Sequence, residues 1–253
     1  MIKKSCLPRS TGIPLLILFG VMMVFYACAP GDTESKGGKS IPVVSDDASL
    51  SVKEQLGKLL FFEATLSTPS GLACVDCHDP AVAFADPLKE LPVSKGSREG
   101  LYGNRNDMPV SYAAYVPELH YDEEEEVWVG GLFWDGRANS LAEQAMGPPL
   151  NPLEMANPDT LSIAVKIRTL DYADMFKDVY GPEALADAGK LYFFMADAIE
   201  AYEKSSEVNP FSSKFDHYLR GEAELSEQEI RGLTLFVAEN KGNCAACHPN
   251  VPL

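Results

Sequence analysis

Positive charge is scarce in this sequence. Its 21 lysines and arginines are outnumbered by 37 aspartates and glutamates, leaving a formal net charge of −16. A chain this acidic is repelled by phosphate backbones, which weighs against a nucleic-acid partner. A basic protein partner suits the field better, although plain solubility explains it equally well. Long hydrophobic runs are also missing: residues 13–27 form an uncharged apolar stretch short of the roughly 20 residues that span a bilayer as a helix. Convincing period-two alternation is absent, so no strand is expected, and no internal repeat exists beyond one pentapeptide. Cysteine is limited to six residues. A hydrophobic content of 46% with 23% charged residues excludes fibrous and wholly disordered classes and fits a soluble globular chain of one or two domains, with two expected.

The first residues read as an export signal. Lys3, Lys4 and Arg9 precede the apolar run, and Cys28 follows it at the start of a small, polar stretch, a pattern that resembles a bacterial lipoprotein signal. Acylation of Cys28 is the expected outcome. Phe25 and Tyr26 depart from that pattern and leave simple cleavage or an uncleaved anchor open. Residues 1–27 are therefore assigned to the signal and 28–48, rich in Gly, Ser, Lys, Asp and Pro, to a flexible tether.

The body of the chain reads as mainly α. Leu56, Leu59, Leu60 and Phe61 recur at helical spacing within 52–63, with Ser51 and Asp47 available as caps. Pro and Gly punctuate 79–117, a long irregular stretch of the kind that wraps a functional site. Helices are expected after Pro158-Asp159, over 185–204, and over 230–240 behind the capping box Ser226-Glu-Gln-Glu229.

Cys74-Val-Asp-Cys77-His78 and Cys244-Ala-Ala-Cys247-His248 both match Cys-x-x-Cys-His, the attachment pattern of c-type haem. Two thiols at this spacing reach both vinyl groups of one porphyrin, and the adjacent imidazole becomes an axial iron ligand. His78 and His248 are the expected proximal ligands. A thioredoxin-type site needs one such pair and no histidine; a zinc ribbon wants its pairs about 15 to 20 residues apart. The motifs use four cysteines, Cys28 is the acylation candidate and Cys6 falls in the signal, so none remains for a disulfide. Covalent haem is attached outside the cytoplasm, which agrees with the export signal and points to the periplasm.

Two haems alone specify electron transfer. Further stretches resemble the bacterial di-haem cytochrome c peroxidase and MauG family across almost the whole exported length. They are Leu56-Gly-Lys-Leu-Leu-Phe-Phe62, Cys77-His-Asp-Pro80, Ala83-Phe-Ala-Asp86, Phe133-Trp-Asp-Gly-Arg-Ala138, Glu143-Gln-Ala145, Gly147-Pro148, Asn151-Pro-Leu-Glu-Met155, Phe215-Asp216 and Gly232-Leu-Thr-Leu-Phe236. The resemblance implies two cytochrome c-like haem domains with long loops, a peroxidatic one over 49–160 and an electron-transfer one over 161–253, with the second C-terminally incomplete. It also implies a function: reduction of hydrogen peroxide with electrons from a small cytochrome c or cupredoxin. A MauG-like oxidase of a protein substrate and a non-catalytic electron carrier are the alternatives.

By the same resemblance Glu154 and Gln144 lie over the open face of the first haem. A carboxylate within hydrogen-bond reach of peroxide can take a proton from one oxygen and return it to the other, and Gln144 can orient the substrate. Without the resemblance Glu154 reads as a helix-start carboxylate and Gln144 as a solvated helix face. Trp134 is implied between the haems, against the alternative of a core tryptophan. Arg137 is implied at a haem propionate, against a structural salt bridge. Many relatives carry a histidine in the loop upstream of Phe-Trp-Asp-Gly-Arg that blocks the peroxidatic iron; residues 96–111 contain none. His120 is the remaining candidate, beside an acidic stretch that reads as a solvated loop, and His217 reads as a surface residue. The first iron is thus expected to be open without prior reduction. Calcium between the haems is a family feature, but the Asn expected after Arg105-Asn106 is replaced around Tyr112-Ala113, so calcium stays open. The sixth ligand of the second haem, the donor's identity and homodimer formation stay open too.

Overall fold

The computed structural model describes residues 50–248, apart from 89 and 125. The signal, the tether and the Cys28 acylation site lie outside the described residues. Helices α1 (Val52–Phe61), α2 (Cys74–Cys77), α3 (Leu141–Ala145), α4 (Thr160–Ile167), α5 (Met175–Tyr180), α6 (Ala188–Glu203), α7 (Lys214–Leu219) and α8 (Glu227–Val237) follow in chain order, with a two-stranded antiparallel hairpin, β1 (His120–Asp122) and β2 (Val127–Val129), between α2 and α3. The mainly helical expectation holds.

Capping chemistry sets the helix boundaries. Ser51 accepts from the Glu54 N–H while Glu54 accepts from the Ser51 N–H, the reciprocal box that starts α1. Ser226 and Glu229 repeat it at α8. Asp159 opens α4 and Asp187 opens α6, each accepting a backbone N–H three residues on. The cap at Asp187 starts α6 a few residues later than periodicity suggests.

The core is built around α6, which packs against α1, α3 and α4. Leu191, Met195, Ala198, Ile199 and Tyr202 recur every three or four residues and are buried, meeting Leu56, Leu60 and Phe61 of α1 and Ile163 and Ile167 of α4. Helices α1 and α6 approach so closely that a Cβ on Gly57 would sit 1.9 Å from the Ala198 carbonyl oxygen. Residues 161–209, grouped by sequence with the second motif, thus add α4 and α6 to the core containing α1 and α3.

The hairpin was not expected. Its strands are three residues each, too short to display alternation, and Tyr121 and Trp128 face each other edge to plane at 5.6 Å on an exposed surface. Among the described residues, none from 210 to 248 is buried.

Candidate active site

Helix α2 is a single turn built by the first Cys-x-x-Cys-His motif. Asp76 accepts the Ala73 N–H at 2.8 Å, and the His78 N–H closes the turn on the Cys74 carbonyl at 2.9 Å. Cys74, Cys77 and His78 line one wall of a cavity of about 620 Å³. His78 Nδ1 lies 3.3 Å from the Phe84 carbonyl. A carbonyl only accepts, so Nδ1 carries the proton and Nε2 keeps its lone pair, the state in which histidine binds a metal. Burial lowers the His78 pKa and favours the neutral ring, opposed by Asp107, the Phe84 carbonyl and Asp86. The carbonyl is delivered by two consecutive left-handed residues, Ala83 at φ 59° and Phe84 at φ 57°, pinned by the Asp79–Ala85 backbone pairing. Such conformations cost energy and persist where surrounding contacts over-determine them.

Another part of the wall comes from α3 and the turn that follows it. Gln144, half-buried on α3, and Glu154 both line the cavity. Glu154 belongs to no helix, contrary to the helix-start alternative; it sits in a turn where Asn151 Nδ2 donates to its Oε1 at 2.8 Å. Burial pushes the Glu154 carboxyl up to about 6, helped by the negative charge of Asp107 and opposed by the Asn151 hydrogen bond and by Arg137. The turn is anchored by buried Asn157, which donates to the carbonyls of Leu66 and Pro149 and accepts from Thr68 and Lys166. Gly96 fits beneath it, where a Cβ would meet the Leu153 carbonyl oxygen at 2.2 Å.

Trp134 and Arg137 also line the cavity. Trp134 is 61% exposed, which corrects the core-tryptophan alternative; its indole N–H donates to the Asn106 carbonyl at 2.7 Å. Arg137 stacks on the Phe133 ring at 3.5 Å and pairs with Asp135 at 2.6 Å, a carboxylate that Arg105 shares. A structural ion pair is therefore formed, on a side chain that still borders the cavity.

Three cavity residues escaped sequence reading. Asn151 entered only as part of the Asn151–Met155 stretch, with no role of its own, and Asp107 is one of 37 acids in the chain. Glu203 follows Met195 and Ile199 at four-residue intervals on α6, a spacing that could have flagged an acid on an apolar face. Of the four histidines, His78 alone lines the cavity. His120 is exposed with Nδ1 at the Glu118 carbonyl, and His217 is half-buried and paired with Glu222.

The second motif adopts the same local turn, with the His248 N–H on the Cys244 carbonyl at 2.8 Å, but Cys244, Cys247 and His248 are exposed. It shares the attachment geometry of the first and is not enclosed by the described residues.

The first site fits a c-type haem on its own chemistry: two thiols and a neutral imidazole on one wall, an apolar lining from Leu60, Phe61, Met195 and Ile199, and a buried Glu203 oxygen without a protein partner. Comparison with known proteins agrees. MauG of Paracoccus denitrificans is 40% identical over 197 residues, covering 76% of this chain and 50% of that protein. Cytochrome c551 peroxidase of Pseudomonas aeruginosa is 35% identical over 204 residues, covering 79% and 51%. The crystal structure of the diheme peroxidase BthA from Burkholderia thailandensis superimposes with a TM-score of 0.72 at 39% identity, covering 79% of this chain and 49% of that one. The chain thus spans about half the length of these relatives. Residues 51–224 match the family described as di-haem cytochrome c peroxidase, and the chain belongs to that family.

Proposed function

We propose that the protein is a di-haem peroxidase that reduces hydrogen peroxide to water with electrons from a small cytochrome c or cupredoxin. The observation that carries this reading is the convergence of Cys74, Cys77 and His78 with Gln144 and Glu154 on one cavity. Haem held by Cys74, Cys77 and His78 would supply the redox iron and, with a second haem at Cys244, Cys247 and His248, a route for two successive electrons. The chain's own residues do the rest. His78 is held as a neutral ligand by the Phe84 carbonyl. Glu154, set near neutrality by burial, takes a proton from one peroxide oxygen and returns it to the other. Gln144 orients the substrate through its amide. With two electrons and two protons, one peroxide gives two waters. Among the described residues, His78 is the histidine that borders the cavity, which supports a first iron open to substrate without prior reduction.

A MauG-like oxidation of a protein substrate is the second reading, favoured by the higher identity to MauG (40%) than to the cytochrome c551 peroxidase (35%). Export to the periplasm, acylation at Cys28 and an acidic surface that attracts a basic donor extend the proposal.

The test is covalent haem staining and peroxide turnover in three proteins. Two haems are expected in the wild type and one each in Cys74→Ala/Cys77→Ala and Cys244→Ala/Cys247→Ala. Peroxide consumption should be lost in the first variant. Turnover that survives loss of the first motif would sink the assignment; a partner protein oxidised in place of the donor would favour the MauG-like reading.

A further inference from the structure

Glu203 closes α6 at its C-terminal end and lines the haem cavity. It is 4% exposed, and its Oε2 has no hydrogen-bond partner among the described residues. Glu154, by contrast, has the Asn151 amide to stabilise its charged form. An acid buried without a donor is held in its neutral form, because nothing repays the lost hydration of the anion. What reverses that preference is a positive charge brought close, and Glu203 lies near enough to Cys74, a haem attachment point, for their charges to interact.

We propose that Glu203 is the proton-uptake group of this cavity, binding one proton for each electron that enters the first haem and releasing it when the electron leaves. The inference rests on the haem placement of the proposed function. An electron delivered by the reduced donor to haem held there would be matched by one proton from the solvent: an O–H bond forms on a Glu203 carboxylate oxygen as one breaks in a hydronium ion or buffer acid. Neutralising the added electron in this way keeps the net charge of a buried site constant, which is the electrostatically inexpensive course where the effective dielectric is low.

The groups around Glu203 are consistent with that role. On its own helix Glu200 repels the anion, itself paired with Lys204. The neighbouring Tyr202 hydroxyl is engaged by Glu207, which is paired with Lys58 of α1. On α2, Cys74 carries no charge once it is a thioether. Elsewhere on the cavity wall stand Glu154, Asp107, Arg105 and Arg137. Burial, with Glu200 second, pushes the Glu203 carboxyl up to about 8, so the exchange falls in an accessible pH range.

The experiment is a spectroelectrochemical titration of the full haem-loaded chain and of Glu203→Gln between pH 6 and 9.5. It follows the haem whose spectrum disappears in Cys74→Ala/Cys77→Ala. In the wild type the reduction equilibrium constant should fall about tenfold per pH unit through a window near pH 8, about 59 mV for one electron. Glu203→Gln should be flat across that window while retaining any lower-pH slope from Glu154. Equal slopes in the two proteins, or none in the wild type, would overturn the proposal. Should the variant lose haem, reduced-minus-oxidised infrared spectra of wild type with carboxyl-labelled glutamate decide: a glutamic acid C=O band appearing on reduction supports it, and none overturns it. A stained peptide without haem at Cys74 and Cys77 would overturn the haem placement and this inference together, whereas retained haem with unaltered pH dependence overturns this inference alone.

Discussion

Asn151→Ala should move the acid limb of peroxide reduction toward higher pH. Burial sets Glu154 at about 6 instead of its ordinary 4.5, which corresponds to about 2 kcal/mol in favour of the protonated form. The Asn151 amide opposes that trend by donating to Oε1 at 2.8 Å, a bond that is stronger when the carboxyl is ionised. Such a bond contributes about 1.5 kcal/mol to the charged form, and its loss raises the pKa by about one unit. At pH 6 about half of the wild-type carboxyl is ionised and about a tenth of the variant's, so kcat/KM should fall about fivefold there and converge within twofold above pH 8. Glu154→Gln removes the group and should cost about 10² to 10⁴ with no acid limb left. Initial rates of peroxide consumption between pH 5 and 9 with a reduced small cytochrome c provide the measurement, since kcat/KM reports the free enzyme's ionisations. The haem's charge acts on wild type and Asn151→Ala alike, so the direction of the difference is the test. A limb displaced to lower pH, or left in place in a variant that retains its haem, would refute the assignment of Glu154 as the proton-transfer group.

Gly57→Ala should destabilise the chain by about 3 kcal/mol or more, read as a lower urea midpoint, although alanine is worth roughly 1 kcal/mol over glycine in an unobstructed helix; the Ala198 carbonyl 1.9 Å from the new Cβ must move. Asn157→Ala should cost about 2 to 4 kcal/mol, because it leaves the buried carbonyls of Leu66 and Pro149 without their donor, and it should lower peroxide turnover by loosening the turn that carries Glu154. Glu203→Gln should gain stability relative to wild type as pH rises. The folded carboxyl sits at about 8 against 4.5 unfolded, so its ionisation penalty is absent below pH 4.5, grows between the two values and is complete above 8. The difference in unfolding free energy between the two proteins, followed by urea titration at pH 5, 7 and 9, should widen by about 4 kcal/mol.

Local rules carried the sequence reading where they act through neighbouring residues. Ser51, Asp159 and Ser226 mark helix starts because a cap needs only the next three residues. Both haem motifs are equally legible, since attachment depends on a pentapeptide. Residues whose role depends on chain-distant packing were harder to read. Glu154 and Gln144 came from a resemblance; their own surroundings suggested a helix start and a solvated face, and only the fold reveals a carboxyl half surrounded by Asn151, Asp107 and Arg137. Trp134 defeated hydropathy in the other sense, for a large aromatic ring 61% exposed at a cavity is held there by a single hydrogen bond to Asn106. The hairpin of β1 and β2 was illegible because its pairing is backbone-made and its side chains bury little.

The two Cys-x-x-Cys-His turns are the clearest case of context deciding what a motif can do. Their backbones close in the same way, His78 on Cys74 and His248 on Cys244, so the pentapeptide fixes attachment and nothing more. Around the first, α1 and α6 supply an apolar wall, the left-handed pair Ala83-Phe84 fixes the imidazole, and burial drives the His78 ring and both nearby acids, Glu154 and Glu203, toward their neutral forms. Low dielectric makes each of those protonation states respond strongly to one added charge. Around the second, the described residues leave the thiols and imidazole exposed, where water screens charge and a nearby acid would scarcely sense an electron. Among the described residues, the burial that ties protonation to local charge is found around the first motif.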